Sequence, residues 1–317
     1  MINPDFIPRY EDVADASRRI SGLIYETPLI EARLPGGGRV WLKAESLQTG
    51  GSFKLRGATN RLLALTRVKQ ERGVVAFSSG NHAQGVAIAA TRLGIAATIV
   101  MPRDAPELKV EGTRANGARI HFYDRSSEDR VAIATNLARA NGATLVPSFD
   151  DPWIISGQGT TGLEIEARCP EPVRQILICT GGGGLAAGIA LACPDAAILC
   201  VEPEGWDDMG RSLEQGHVLP VSPDAPPTLC DALQTPRVSE LTFAILHARK
   251  ARGLSVSEEQ VRDAVRFAWR EYQLVIEPGG AVALAALLAG KVEAGEGTVA
   301  LLSGGNIDPA LHAEIVG

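Results

Sequence analysis

No stretch of this chain is apolar for long enough to cross a bilayer. The longest unbroken apolar run, Ala281 to Ala289, is far short of the ~20 residues a spanning helix needs and reads as a buried helix. The first fifteen residues, Met1 to Asp15, mix Asp, Glu, Arg and Pro. Neither a secretory signal nor a basic transit peptide is visible there, so the mature chain is expected to start here. A basic excess is also lacking. The formal net charge of −6 argues against general nucleic-acid binding, which needs a basic face to neutralise phosphates. Cysteine is sparse and unpaired. Cys169, Cys179, Cys193, Cys200 and Cys230 are odd in number with no closely spaced pair, which speaks against a zinc knuckle or a redox motif. Most lie in apolar segments, as small core residues do in a reducing cytoplasm.

What is present is a chain of 317 residues, 45% hydrophobic and 21% charged. That is enough to bury a large core, in one big or two medium domains. From Gly73 to Ser148, the runs Val74–Ser78, Ala97–Met101, Arg119–Tyr123 and Thr144–Pro147 read as strands between helical segments, a repeated βαβ pattern. Asp104 and Glu107 have the spacing of a helix capping box, with Pro106 in the first turn. A second series has strands near Ile176–Cys179, Ile198–Val201 and Val299–Leu302, and Ser257 with Gln260 frames another helix start. These strands are apolar on both faces, which implies two open, mainly parallel α/β sheets covered by helices, with ligands between them. Ser222 to Thr228 is rich in proline and reads as a surface loop.

Three glycine-rich junctions carry the chemistry. In Thr180-Gly181-Gly182-Gly183-Gly184-Leu185, a strand ends and a helix begins, so consecutive backbone N–H groups can converge on a phosphate at the positive end of the helix. No Lys-Ser or Lys-Thr follows, which speaks against a nucleotide-triphosphatase loop. Gly182, Gly184 and Ala187, with Glu202 after the next strand, equally fit a nicotinamide-binding fingerprint. From this segment alone both readings stand. At Ser78-Ser79-Gly80-Asn81-His82, hydroxyl, amide and backbone donors meet at a helix N-terminus. Such a place suits a carboxylate, although Ser79 or Asn81 could simply cap the helix. In Thr49-Gly50-Gly51-Ser52-Phe53-Lys54, a lysine follows a glycine pair. Lysine forms imines with aldehydes, and burial lowers its pKa so that a neutral amine becomes available.

Taken together, Ser52-Phe53-Lys54-Leu55-Arg56-Gly57, Ser79-Gly80-Asn81-His82, Gly157-Gln158-Gly159-Thr160, the tetraglycine loop, Ile276-Glu277-Pro278 and Ser303-Gly304-Gly305-Asn306 resemble the fold-type II enzymes that use pyridoxal 5′-phosphate (PLP). The narrower resemblance is to the threonine dehydratase (threonine ammonia-lyase) and serine racemase group. It implies a tryptophan-synthase-β-like fold with PLP in the cleft between a large domain (residues 1–71 and 150–317) and a small α/β domain (residues 72–149). Lys54 would hold the cofactor as a Schiff base and act as the Cα base. Phe53 would pack beside the ring, Asn81 would bond the ring hydroxyl, Glu277 would be a further cofactor-binding residue, and Ser303 would meet the pyridine nitrogen. Gly181, Gly182, Gly183, Gly184 and Leu185 would take the phosphate. Ser79, Gly80, Asn81 and His82 would bind the substrate carboxylate, with Ser79 a second acid/base in the racemases. The resemblance also implies magnesium or calcium at Glu202, Asp208 and the carbonyl of Trp206, oxygen ligands of the kind these cations take.

The activity so implied is β-elimination from L-threonine or L-serine to a 2-oxo acid and ammonia, in a cytoplasmic homodimer. The alternatives are serine racemisation or dehydration of 3-hydroxyaspartate and, more remotely, a nicotinamide-dependent oxidoreductase. Two departures bear on substrate choice. Thr228-Leu229-Cys230-Asp231-Ala232 stands where many relatives have an Ala-Asp-Gly segment, and Ser156 precedes Gly157 where alanine is more usual.

Overall fold

A computed structural model describes residues 6–317; of the N-terminal run read above for targeting signals, Met1 to Asp5 lie outside it. Two sheets organise the chain. The larger has six strands, β1 (Leu29–Arg33), β2 (Arg39–Ala44), β7 (Gln175–Cys179), β8 (Ala197–Pro203), β9 (Arg252–Val256) and β10 (Thr298–Leu302), in the order β1-β2-β10-β7-β8-β9. The smaller has four, β3 (Val74–Phe77), β4 (Ala97–Pro102), β5 (Arg119–Tyr123) and β6 (Thr144–Leu145), in the order β5-β4-β3-β6. All pairings are parallel except β1 with β2. The central strands β2, β7, β8 and β10 are buried along nearly their whole length. Strands of this kind need helices on both faces.

The described residues form thirteen helices, most of which supply that cover: α1 (Tyr10–Ile20), α2 (Lys54–Leu63), α3 (Arg67–Arg72), α4 (Asn81–Leu93), α5 (Glu107–Ala115), α6 (Arg130–Asn141), α7 (Pro152–Arg168), α8 (Gly184–Ala192), α9 (Asp208–Gln215), α10 (Glu240–Ala248), α11 (Glu258–Tyr272), α12 (Pro278–Leu288) and α13 (Pro309–Val316). The long apolar run at Ala281 forms most of α12, buried from Pro278 to Leu287. Among the described residues, no helix is long and apolar enough to span a membrane.

Glycine pairing brings α7 and α8 close together. A Cβ on Gly159 would lie 2.6 Å from the carbonyl oxygen of Gly188, so the two helices pack backbone to backbone. Helix α2 bridges the sheets. It follows the large-sheet strand β2, yet Leu55, Ala58 and Leu62 pack in one core with Val74, Ala76 and Ile99 of the small sheet.

Local signals fared unequally. The capping box of α11 forms as read, with Ser257 and Gln260 bonding each other's backbone N–H. The one expected before α5 does not. Pro106 occupies the N-cap itself, and Asp104 pairs with Arg125 instead.

Candidate active site

The Gly50-Gly51 turn adopts φ of +80° and +70°, a conformation costly for other residues. A Cβ on Gly51 would collide with the Asn306 side chain. Beyond this turn Ser52 bridges to Gly304, and the Phe53 N–H donates to the Ser303 carbonyl at 3.2 Å. Lys54 then opens α2. Its Nζ donates to the Ser148 carbonyl at 3.1 Å and lies 5.0 Å from the Phe53 ring centre. Burial lowers its pKa from 10.5 to about 8, an effect the negative charge of Glu277 partly offsets.

Helix α4 arrives beside this lysine. A Cβ on its Gly85 would sit 3.1 Å from the backbone nitrogen of Leu55 and 3.2 Å from the carbonyl oxygen of Lys54. The N-cap of α4 is Gly80, and no side chain caps the helix, so neither Ser79 nor Asn81 does the capping job weighed for them. The first N–H groups of α4 are thus left without a side-chain cap. Asn81 instead donates to Glu277 Oε1 at 2.5 Å and accepts from Asn306 Nδ2 at 2.8 Å. Glu277 is buried, and desolvation followed by the nearby charge of Asp231 raises its pKa from 4.5 to about 7. His82 is turned inward, with Nε2 against the Val146 carbonyl at 3.0 Å. Burial and the charge of Lys54 lower its pKa to about 3, so the ring is neutral.

The tetraglycine loop joins β7 to α8, with Gly183 at φ +85° as N-cap. A Cβ on Gly182 would collide with the Phe149 ring, one on Gly183 would meet Met209 Cε at 2.6 Å, and one on Gly184 would meet Gln158 Oε1 at 2.6 Å. Thr242 Oγ1 donates to the Gly182 carbonyl at 2.9 Å and fixes the loop. Leu185 turns its side chain into the large-sheet core, leaving only its backbone to face a ligand. Ser303 is 5% exposed at the end of β10.

The structure therefore brings Phe53, Lys54, Asn81, Glu277 and Ser303 together, with the Ser79–Gly80 turn at the head of α4. Glu202, Trp206 and Asp208 form a separate group behind the tetraglycine loop, which Met209 touches through Gly183. Both Glu202 oxygens accept backbone N–H bonds, from Met209 at 3.0 Å and Gly210 at 2.8 Å, and Asp208 Oδ2 accepts from Val238. Burial pushes Glu202 well up and Asp208 to about 6. The Trp206 indole donates to the Pro226 carbonyl. Among the described residues, no cluster of three or more His, Cys, Asp or Glu side chains could hold a metal.

Ser148, Phe149 and Thr242 were not anticipated. They belong to no recurring spacing, and Thr242 reaches Gly182 from a helix far along the chain.

The arrangement matches a known family. The model described as "Pyridoxal-phosphate dependent enzyme" matches residues 20–304. The chain belongs to that family. This sets aside the nicotinamide reading of Gly182, Gly184 and Glu202. A curated L-threo-3-hydroxyaspartate ammonia-lyase of Pseudomonas sp is 40% identical over 315 residues, 97% of this chain and 98% of that one. An L-threonine ammonia-lyase of Thermotoga maritima is 38% identical, over 96% of this chain and 77% of that one. Among solved structures, maize serine racemase superposes with a TM-score of 0.91 at 32% identity, covering 98% and 97% of the two chains. The fold is thus that of the fold-type II PLP enzymes, as the sequence pattern implied.

The site fits PLP on its own features. A half-buried amine with a lowered pKa bonds the Ser148 carbonyl, and the next residue, Phe149, packs on a loop whose glycines leave no room for side chains, a loop that leads into a helix N-terminus suited to a phosphate.

Proposed function

We propose that this chain catalyses β-elimination from a small β-hydroxy-α-amino acid, L-threonine or L-serine, releasing a 2-oxo acid and ammonia. The observation that carries the reading is the Lys54 amine, held at the junction of the two sheets with its pKa lowered to about 8. When bound, PLP supplies an aldehyde that takes up an amine and a conjugated ring that accepts electron density from Cα. The glycine loop at 181–184 and the Leu185 N–H would hold its phosphate, and Phe53 would pack beside its ring. Asn81, which bonds Glu277, would meet its hydroxyl, and Ser303 would offer a neutral hydroxyl to the ring nitrogen.

Lys54, once freed by the substrate amine, is a neutral base at Cα. The Ser79–His82 segment would take the substrate carboxylate, with the backbone N–H groups at the start of α4, which has no side-chain cap, as donors. Nζ would take the proton from Cα, the β-hydroxyl would leave with one proton as water so that the elimination is neutral overall, and the released enamine would take up water in solution to give the 2-oxo acid and ammonia. Purified enzyme mixed with L-threonine and with L-serine should release 2-oxo acid from at least one; release from neither defeats the reading.

Ser79 supports a second activity. Its hydroxyl makes no cap bond, and in a serine racemisation it would serve as the second acid/base opposite Lys54. Ser79→Ala should then abolish D-serine formation, read by chiral chromatography, while leaving elimination the larger remaining activity. Equal loss of both removes Ser79 from that role.

Sheet membership favours a large domain of residues 1–71 and 150–317 and a small one of 72–149, with α2 as the bridge. Glu202, Asp208 and the Trp206 carbonyl would supply oxygen donors of the kind that magnesium or calcium takes as a structural ion. Added magnesium should raise the melting temperature, and Asp208→Asn should cancel that rise. The five thiols are unpaired, as a cytoplasmic location requires. A homodimer would scatter light at twice the chain mass.

A further inference from the structure

Lys109 and Asp231 form an ion pair that joins the two halves of the cleft. Lys109 lies in the first turn of α5, on the small-sheet side. One turn later, Gly112 of the same helix faces Gln84 of α4, with a Cβ–Nε2 distance of 3.9 Å. Lys109 is thus carried alongside the start of α4, where Asn81 sits. Asp231 opens the short 3-10 turn Asp231–Leu233 on the large-sheet side. That turn touches the site at two points. A Cβ on Gly181 would lie 3.2 Å from Leu233 Cα, and one on Gly279, two residues after Glu277, would lie 3.3 Å from Ala232 Cβ. Both charges act on Glu277, which Asp231 pushes up and Lys109, with Lys54, pulls down. The Lys109 side chain is 24% exposed and that of Asp231 54%, so the lysine is the inner member and its partner the replaceable one.

We propose that Lys109 is a specificity-determining cation that receives the second carboxylate of a β-hydroxy dicarboxylic amino acid, of the class of 3-hydroxyaspartate, with Asp231 as its resting partner. This deepens the elimination reading and rests on it for chemistry, although binding tests it separately. The α-carboxylate is taken by the head of α4, and a β-carboxylate on the same substrate would need a cation of its own. An exposed pair costs little to exchange for another carboxylate.

The test uses holoenzyme and two non-eliminating probes, L-aspartate and L-alanine, with Kd read by calorimetry. The wild type should bind L-aspartate more tightly than L-alanine. Lys109→Gln should reduce that preference by about tenfold, the scale of a lost charge-assisted hydrogen bond. Lys109→Arg should keep most of it, and Asp231→Asn should increase it. In parallel, the ratio of kcat/KM for L-threo-3-hydroxyaspartate over L-serine should fall with Lys109→Gln. A wild type without preference for L-aspartate overturns the assignment, as does a Lys109→Gln variant that weakens both probes equally. If the binding preference holds but no hydroxy-amino acid yields a 2-oxo acid, the elimination reading fails and the Lys109 site stands.

Discussion

The Phe53 N–H donates to the Ser303 carbonyl across 3.2 Å, and this bond sets the lysine beside a strand end some 250 residues further along the chain. Strand β10 lies between β2 and β7. The loops leaving β2 and β7 therefore both open next to Ser303, one bearing Lys54 and the other the tetraglycine turn. A site outside the carboxyl ends of parallel strands is where α/β sheets place their ligands. Ser303 is neutral and buried there.

The lowered pKa of Lys54 is a stability statement for the cofactor-free protein. Its folded value of about 8 lies below the ordinary 10.5. Between these values the unfolded chain binds the proton and the folded chain releases it, so stability rises with pH across that window. Below 8 both states hold the proton, and the destabilisation levels off at its full value. At pH 7, Lys54→Met should therefore stabilise the cofactor-free protein, by up to about 3 kcal/mol, in urea titrations. The same variant should lose the visible absorption of a lysine-bound cofactor.

Gly182→Ala should cripple cofactor retention more than folding. The added methyl collides with the Phe149 ring, and the loop must move away from the geometry in which its N–H groups converge. A Kd for PLP weakened at least ~10-fold, equivalent to about 1.4 kcal/mol, is expected in fluorescence titrations. Adding Phe149→Leu should restore part of the affinity by vacating the space. A double mutant no better than the single one would point away from the ring as the obstacle.

The sequence revealed what both-face burial and glycine punctuation encode. Strands β7, β8 and β10 each carry an unbroken apolar run, Ile176–Cys179, Ile198–Val201 and Val299–Leu302, and the three glycine junctions stood out by composition. Strands β1, β2 and β9 did not. β1 is mostly exposed or half-buried, β9 is an edge strand, and β2 carries Lys43 into the interior. That lysine is tolerable only because Glu164 lies at 2.5 Å and the Thr27 carbonyl at 2.7 Å. Those partners come from distant segments that no periodicity connects. Ser148 and Phe149 were hidden for the same reason, since their importance lies in what a loop after β6 touches.

Arg56 tests how much that buried charge matters. Its guanidinium grips Glu45 with two bonds of 2.8 Å and Glu164 with bonds of 2.5 and 2.8 Å. Truncation would leave two carboxylates in the interior with only Lys43 to answer them. Breaking a buried pair in this way costs about 3–5 kcal/mol. Arg56→Ala should lose that much in denaturant titrations, whereas Arg56→Lys should lose less, keeping the charge but not the double fork.

Glu277 should impose the opposite pH dependence from Lys54. Its folded pKa of about 7 lies above the ordinary 4.5, raised by burial and then by Asp231. As pH climbs from 4.5 to 7, the unfolded carboxyl gives up its proton while the folded one keeps it. The folded state loses ground over this window, by up to about 3 kcal/mol, and the loss levels off above 7. Glu277→Gln removes the charge but keeps an Oε1 acceptor for Asn81. Its stability should therefore vary less between pH 5 and 7 than that of the wild type, with the two curves converging toward pH 4.5, where the wild-type carboxyl is itself protonated. Curves that remain parallel from pH 4.5 to 7 would mean that Glu277 does not titrate there, and that the bond from Asn81 holds it ionised.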